Sequence, residues 1–305
     1  MSNLPPPRVA TSVLLLIGVC TLCGAILFAH GFDATETLAA DNAVLAVVED
    51  SRINESSGLA ASRTHPGCLW VHNDSGDQPR LFLVCRDGRT RGTVMLRGAD
   101  AIDWEDMCSF ELNGQPWLLV ADVGDNAGQR GISRQPCCLY LMPEPRDLAD
   151  GEERSANIAV RITLEWPNGP INCESVAVDV QRKEILLLEK SGPFQCRLFR
   201  LPLDLQQAQQ TLVATQIAGA AIPFATAIDI SPDGRSMAVV SMWGGMILRK
   251  NADESWETAF QRQPTPVIVP KRRQGETVCF DVRGETLLLN SEGAGQPLWE
   301  VSLSE

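Results

Sequence analysis

The chain has 305 residues, 44% of them apolar and 21% charged, the composition of a globular protein with enough length for a large core. Its 26 Lys and Arg stand against 38 Asp and Glu, a net charge of −12 that repels phosphate backbones and argues against a nucleic-acid partner. Three histidines are too few for most His-rich zinc sites and speak against a His-based triad.

Arg8 precedes an uncharged, mostly apolar run over residues 9–29, and Asp33 and Glu36 follow it. A cation before the run and acids after it orient the N-terminus inward and the remainder outward. The run is 21 residues long, close to the roughly 20 that span a bilayer. Ala29 and Gly31 also offer an A-x-G cleavage site, so residues 1–31 read as a signal peptide or as a membrane anchor. Cys20 and Cys23 lack the small preceding residue of a lipoprotein cysteine. Residues 32–42 read as a linker and 43–305 as one extracytoplasmic domain: periplasmic, secreted or held at the membrane by residues 9–29 alone. Eight of the ten cysteines lie in that remainder, where disulfides are permitted.

The remainder repeats itself. Five segments share an acidic or polar start, an alternating strand, a tight turn, an apolar second strand and a polar Gly-containing loop. They begin at Glu55, Glu105, Glu174, Thr226 and Glu276, with steps of 50, 69, 52 and 50 residues. Ser231-Pro232-Asp233-Gly234 is the clearest reversal, since Pro fixes φ, Asp bonds backbone amides and Gly accepts positive φ. Beyond residue 32 no segment carries a long helical period.

Short strands repeated at about 50 residues predict an all-β fold, a β-propeller of four-stranded antiparallel blades. Five blades are counted, and the 69-residue step leaves room for a sixth. The last repeat has length for three strands only. The lone strand predicted over 43–48 (AVLAVV) therefore completes the final blade and closes the ring. A two-sheet sandwich explains the strands but not the equivalent starts.

The stretches Glu55-Ser56-Ser57-Gly58-Leu59-Ala60 and Leu69-Trp70-Val71-His72-Asn73-Asp74-Ser75-Gly76-Asp77 resemble exported β-propellers. So do Asp103-Trp104-Glu105-Asp106 and Ala121-Asp122-Val123-Gly124-Asp125-Asn126. The group resembled comprises NHL, SdiA-regulated, regucalcin/gluconolactonase and phytase-like esterase propellers. The likeness is strong over 55–126 and architectural elsewhere. In the regucalcin-like members it implies one divalent ion in the central channel, held by a Glu at a first-strand start that Glu55 matches. The remaining ligands and the catalytic Asp of that group find no counterpart residue here.

In a propeller the repeated glutamates Glu55, Glu105, Glu174 and Glu276 share one end of the channel. The second-strand ends Asn73, Asp74, Asp122, Glu189, Asn290 and Glu292 rise to the same end. Converging carboxylates repel unless paired, protonated or bridged by a cation. Oxygen donors without His or Cys select calcium or magnesium, with calcium favoured because it tolerates irregular sites. The metal candidates are Glu55, Glu105, Glu174, Asp74 and Asp122. In the competing reading the glutamates cap backbone amides or pair with Arg97, Arg130 or Arg249. The loops at Asp74–Asp77 and Asp122–Asn126 lack EF-hand spacing and read first as Asp-capped hairpins, and only second as cation sites.

Trp104 and Trp243 flank the channel end and, with Asn73 and Asn290, are the candidate ligand contacts. They are weighed against packing between blades. His72 is either a general base or a hydrogen-bonded structural residue. A hairpin between residues 69–73 and 80–84 sets Cys68 opposite Cys85, which predicts a cross-strand pair and a candidate disulfide. Cys108 and Cys279 fill equivalent positions in separate blades, and Cys173 with Cys196 is the next pair to test. No catalytic residue is assigned. The leading expectation is a monomeric extracytoplasmic scaffold, calcium-stabilised, that binds a small ligand, glycan or protein. The alternatives are a metal-dependent lactonase, phosphotriesterase or phytase-like hydrolase, and a structural envelope protein.

Overall fold

The computed structural model describes residues 40–125, 136–192 and 196–303. The leader over 9–29, Asn126 and Arg130 lie outside the described residues. The described residues all belong to one compact unit, Thr37–Glu305. Among the described residues no helix is long and apolar enough to cross a membrane.

Five sheets form the blades of a ring. The chain opens with β1 (Ala40–Val47). Blade 1 follows as β2 (Ser56–Ala61), β3 (Cys68–Asn73), β4 (Arg80–Cys85) and β5 (Thr90–Arg97). Blade 2 is β6 (Trp104–Leu112), β7 (Gln115–Asp122), β8 (Cys137–Pro143) and, after β9 (Glu152–Asn157), β10 (Val160–Glu165). Blade 3 is β11 (Cys173–Asp179), β12 (Glu184–Glu189), β13 (Cys196–Pro202) and, after β14 (Gln209–Val213), β15 (Thr215–Ala220). Blade 4 is β16 (Ala225–Ile230), β17 (Ser236–Ser241), β18 (Gly244–Arg249) and β19 (Thr265–Val267). Blade 5 joins β20 (Cys279–Phe280), β21 (Thr286–Leu289) and β22 (Pro297–Leu303) to β1. The inner strands β2, β6, β11, β16 and β20 neighbour one another around the axis.

The protein is therefore a five-bladed β-propeller. Ring closure follows the sequence expectation: β1 pairs antiparallel with β22, from Ala40↔Leu303 to Val47↔Pro297. Among the described residues the long step holds no sixth blade. That step instead holds β9, which leaves blade 2 and adds to blade 1 in parallel with β5, from Gly92↔Glu152 to Arg97↔Asn157. β14 repeats the device one blade on, pairing in parallel with β10. Each loan covers an outer edge that would otherwise expose unpaired backbone groups. One short helix, α1 (Trp256–Ala259), interrupts blade 4; the strand pattern gave no sign of it.

The apolar second strands read as continuous runs because both their faces are buried. On β7, Leu118 and Val120 pack toward blade 1 while Leu119 and Ala121 pack toward blade 3. On β12, Ile185 and Leu187 face blade 2 while Leu186 and Leu188 face blade 4. Five apolar clusters thus fill the five spaces between neighbouring sheets. Each buried Leu or Ile contributes about 1.5–3 kcal/mol.

The inner strands leave backbone groups facing the axis, and two buried carboxyls satisfy them. Asp106 Oδ2 accepts from Val176 N (2.9 Å) and Ile228 N (3.3 Å), tying blades 2, 3 and 4 together. Asp229 Oδ2 accepts from Phe280 N at 2.8 Å, tying blade 4 to blade 5. At the end remote from the glutamates, Glu144 accepts from Ser62 Oγ (2.5 Å), Arg63 N (3.0 Å), Thr64 Oγ1 (2.9 Å) and Trp70 Nε1 (2.9 Å). It locks the first turn of blade 1 to blade 2.

The cysteine register is as expected. Cys68 pairs with Cys85 across β3 and β4, and the two form a disulfide. Cys173 and Cys196 do not bond: β12 lies between their strands and both thiols are free and buried. Cys108 and Cys279 are free, buried fillers in blades 2 and 5.

Candidate functional site

A repeated device shapes the end of the channel where the glutamates lie. The last residue of a second strand folds back and caps the amides that precede the first strand. Asn73 Oδ1 accepts from Asn54 N and Glu55 N, both at 3.1 Å, while its Nδ2 donates to Arg52 O and Asp77 Oδ2 at 2.7 Å each. Asp122 Oδ1 accepts from Asp103 N at 2.9 Å. In blade 5, Ser291 Oγ accepts from Gln274 N at 3.0 Å. Asn290 Nδ2 donates to Pro297 O at 2.8 Å and its N–H to Thr277 Oγ1 at 2.7 Å. Asn73, Asp122 and Asn290 are thus buried and engaged in fixing the loops.

Those loops deliver a ring of acids to the mouth. Carboxylate oxygens of Asp74, Asp103 and Glu105 lie within 4.8 Å of one another, and so do those of Asp74, Glu276 and Glu292. Asp74 belongs to both groups. Glu105 is 1% exposed, and its Oε1 has no hydrogen-bond partner among the described residues. The structure brings together Asp74 and Glu105 of the sequence-derived metal set. Asp103, from the motif Asp103-Trp104-Glu105-Asp106, joins them although only its neighbour was singled out.

Glu174 lies beside this group with a cation of its own. Lys190 Nζ is 2.6 Å from Glu174 Oε2 and 3.9 Å from Glu276 Oε1. Asn172 Nδ2 donates to Glu174 Oε1 at 2.9 Å. The counter-ion is therefore Lys190 from the loop after β12, not Arg97 or Arg249. A lysine just past a repeated strand end carried the signal, but a register argument built on acids passed over it. Gln274 Nε2 donates to both Glu276 Oε1 (3.1 Å) and Glu292 Oε1 (2.9 Å). Glu55 is exposed at the rim, in neither group of three. Glu189 turns outward to Arg197 Nε at 2.7 Å.

The crowding shows in the acidities. Burial, then the charges of Asp103, Glu276 and Glu174, push Asp74 up to about 7. Burial and the neighbouring Glu174, Asp74 and Asp103 hold Glu105 well above the usual carboxylate range. Burial and a hydrogen bond with Glu276 raise Glu292 to about 8. Burial also raises Glu174, against the opposing pull of Lys190. For Lys190 burial favours the neutral amine, but Glu174 and Glu276 outweigh it and hold the ammonium above its ordinary value.

The two candidate tryptophans part company. Trp104 is 1% exposed; its Nε1 donates to Asp100 O at 2.7 Å and its ring meets His72 edge-on at 5.1 Å. It is core. Trp243 is 50% exposed at the two-residue turn between β17 and β18, edge-on to Phe224 at 5.1 Å. His72 is fully buried, its Nδ1 2.9 Å from Asn73 O, and burial lowers it to about 4, so it stays neutral as a structural residue. Gly58 is required beside it, because a Cβ there would meet the imidazole ring.

Fold and mouth together define a five-bladed propeller with an acid-lined channel end. No family profile and no curated protein matches the chain. Among solved structures it is similar to the PQQ-bound form of an aldose sugar dehydrogenase from Streptomyces coelicolor. That likeness has a TM-score of 0.49 at 12% identity, covering 88% of this chain and 100% of the other. It is also similar to the hydrazine synthase of Kuenenia stuttgartiensis, with a TM-score of 0.40 at 10% identity. There the match covers 77% of this chain and 61% of the other.

Proposed function

We propose that this protein is an extracytoplasmic ligand-binding propeller whose mouth seats a divalent, oxygen-preferring cation, calcium above others. The observation that carries the reading is Glu105 Oε1, buried without a partner beside Asp74 and Asp103. A buried carboxylate in that position is costly unless protonated or bridged by a cation. An all-carboxylate donor set suits calcium, which accepts six to eight oxygens in irregular geometry. Asp74, Asp103 and Glu105 would hold the ion, while Lys190 neutralises Glu174 alongside. Location outside the cytoplasm is supported by the Cys68–Cys85 disulfide. The test is a thermal melt. EDTA lowers Tm, calcium restores it, and Glu105→Gln abolishes the difference; a melt indifferent to both additions contradicts the reading.

A hydrolytic role is the second reading. Glu292, raised to about 8 by burial and Glu276 and outside the three ion-holding carboxylates, is poised to give or take a proton near neutral pH. Turnover of a lactone, aryl ester or phosphate ester with calcium present, lost in Glu292→Gln while calcium binding is kept, would establish it.

A further inference from the structure

Four blades bring an acid to the mouth at the start of the inner strand, and blade 4 does not. Its equivalent residue is Thr226, whose single O–H is spent on backbone, with Gly275 O at 3.1 Å and Val240 O at 3.4 Å as the acceptors within reach. Blade 4 offers aromatic surface instead. Ala225 pairs with Ser241, so the Met242-Trp243 turn sits directly beyond the start of β16. Met242 is 60% and Trp243 50% exposed. Trp243 N–H donates to Ser241 Oγ at 3.2 Å, which fixes the turn.

Phe224 lies against Trp243 in a conformation that a bulky side chain rarely adopts, with φ +51°. Such strain persists where surroundings impose it, and it clusters at ligand clamps. Here Phe224 N–H donates to Ser191 O at 3.1 Å, and Phe224 O accepts from Met242 N at 3.4 Å. Ser191 follows Lys190, and Gly275 precedes Glu276. The aromatic wall is thus tied on one side to the loop bearing Lys190 and on the other to the segment bearing Glu276.

We infer that the mouth receives an alkylammonium group, with its charge on Asp74, Glu276 and Glu292 and its methylene chain across Trp243. Carboxylates on four blades and an aromatic wall on the fifth are the chemistry that selects an organic cation. Glu105 Oε1, buried and without a partner among the described residues, lies against Asp74, the acid common to both groups, and points to a missing cationic or donor group there. A divalent ion held by Asp74, Asp103 and Glu105 still leaves Glu276 and Glu292, which belong to the blade next to the one that carries the aromatic wall. Anionic and phosphate ligands are repelled by the same charge.

The inference shares Asp74 with the calcium reading, and one experiment separates the two. Spermidine and an acetylated tetra-lysine amide are titrated by calorimetry, each with EDTA and with calcium, at two salt concentrations. The variants are Trp243→Ala, Trp243→Phe, Glu292→Gln and Asp253→Asn, the last an exposed acid away from the mouth. We expect saturable binding that falls about tenfold in Trp243→Ala and in Glu292→Gln. Trp243→Phe recovers much of it, and Asp253→Asn leaves it unchanged. Tighter binding of spermidine identifies a free polyamine, and tighter binding of the peptide identifies lysine side chains. No binding of either probe at millimolar concentration overturns the inference. So does equal weakening by Asp253→Asn, which would mean general charge attraction, or indifference to Trp243→Ala. A calcium-dependent Tm with no probe binding defeats this inference alone. Trp243-dependent probe binding with no response to calcium defeats the metal reading alone.

Discussion

Gly124 and Glu105 compete for one space. A Cβ on Gly124 would fall on the Glu105 carboxylate and lie 2.6 Å from Asp103 Oδ2. The glycine after β7 therefore admits the acid, and its small size, not its backbone freedom, is what the mouth needs. Gly124→Ala should push Glu105 and Asp103 out of place. Calcium affinity falls at least about tenfold, since every 1.4 kcal/mol of lost binding is a factor of ten. Stability of the apo form falls by about 1–3 kcal/mol, the usual cost of overpacking. Calorimetric calcium titration and a urea melt measure the two effects.

The raised acids set a sign for pH. Asp74 at about 7 and Glu292 at about 8 bind protons in the folded state that they have released in the unfolded state. Where the folded state holds more protons, stability falls as pH rises. These groups therefore disfavour the fold progressively between about pH 4 and 8, fully above that range. A bound cation relieves the same repulsion. Calcium should raise Tm strongly at pH 8 and little at pH 5, as differential scanning calorimetry at the two pH values would show.

Asp106 should behave as a neutral strut and not as a charge. It is fully buried, and burial holds its carboxyl well above the usual range against three backbone donors. Asp106→Asn keeps an acceptor for Val176 and Ile228 and should cost about 1 kcal/mol or less. Asp106→Leu strands both amides and should cost about 2–5 kcal/mol. Equal losses for the two variants in chemical denaturation would contradict this role.

The disulfide closes a short loop, Cys85 lying 17 positions after Cys68 in sequence. Reduction should lower stability by about 3 kcal/mol through the loop entropy returned to the unfolded chain. Non-reducing peptide mapping should find these two linked. Cys108, Cys137, Cys138, Cys173, Cys196 and Cys279 should be reactive only after unfolding.

The ring, its closure by β1 and the Cys68–Cys85 register were legible because strand alternation and turn chemistry are local. The convergence of Asp74 and Glu105 was legible for the same reason, since equivalent repeat positions meet at one end. What the repeat hid was non-local. β9 and β14 carry no repeat signature of their own and are placed only by parallel pairing with the preceding blades, so the long step leaves room for a sixth blade in the sequence. Asp122, Asn73 and Asn290 have the composition of ligands, but their oxygens and amides are spent on loop backbone. Lys190, one cation among repeated acids, leaves no periodic trace, although it neutralises Glu174 at 2.6 Å. Trp104 and Trp243 look alike in sequence. One follows the aspartate that opens an inner strand and is buried, and the other tips a two-residue turn and is not.

Crystals grown with saturating calcium test the cation reading most directly. We expect one ion at the mouth with oxygens of Asp74, Asp103 and Glu105 at roughly 2.3–2.6 Å. A mouth in which those three carboxylates hold no ion, with calcium bound elsewhere or absent, would contradict it.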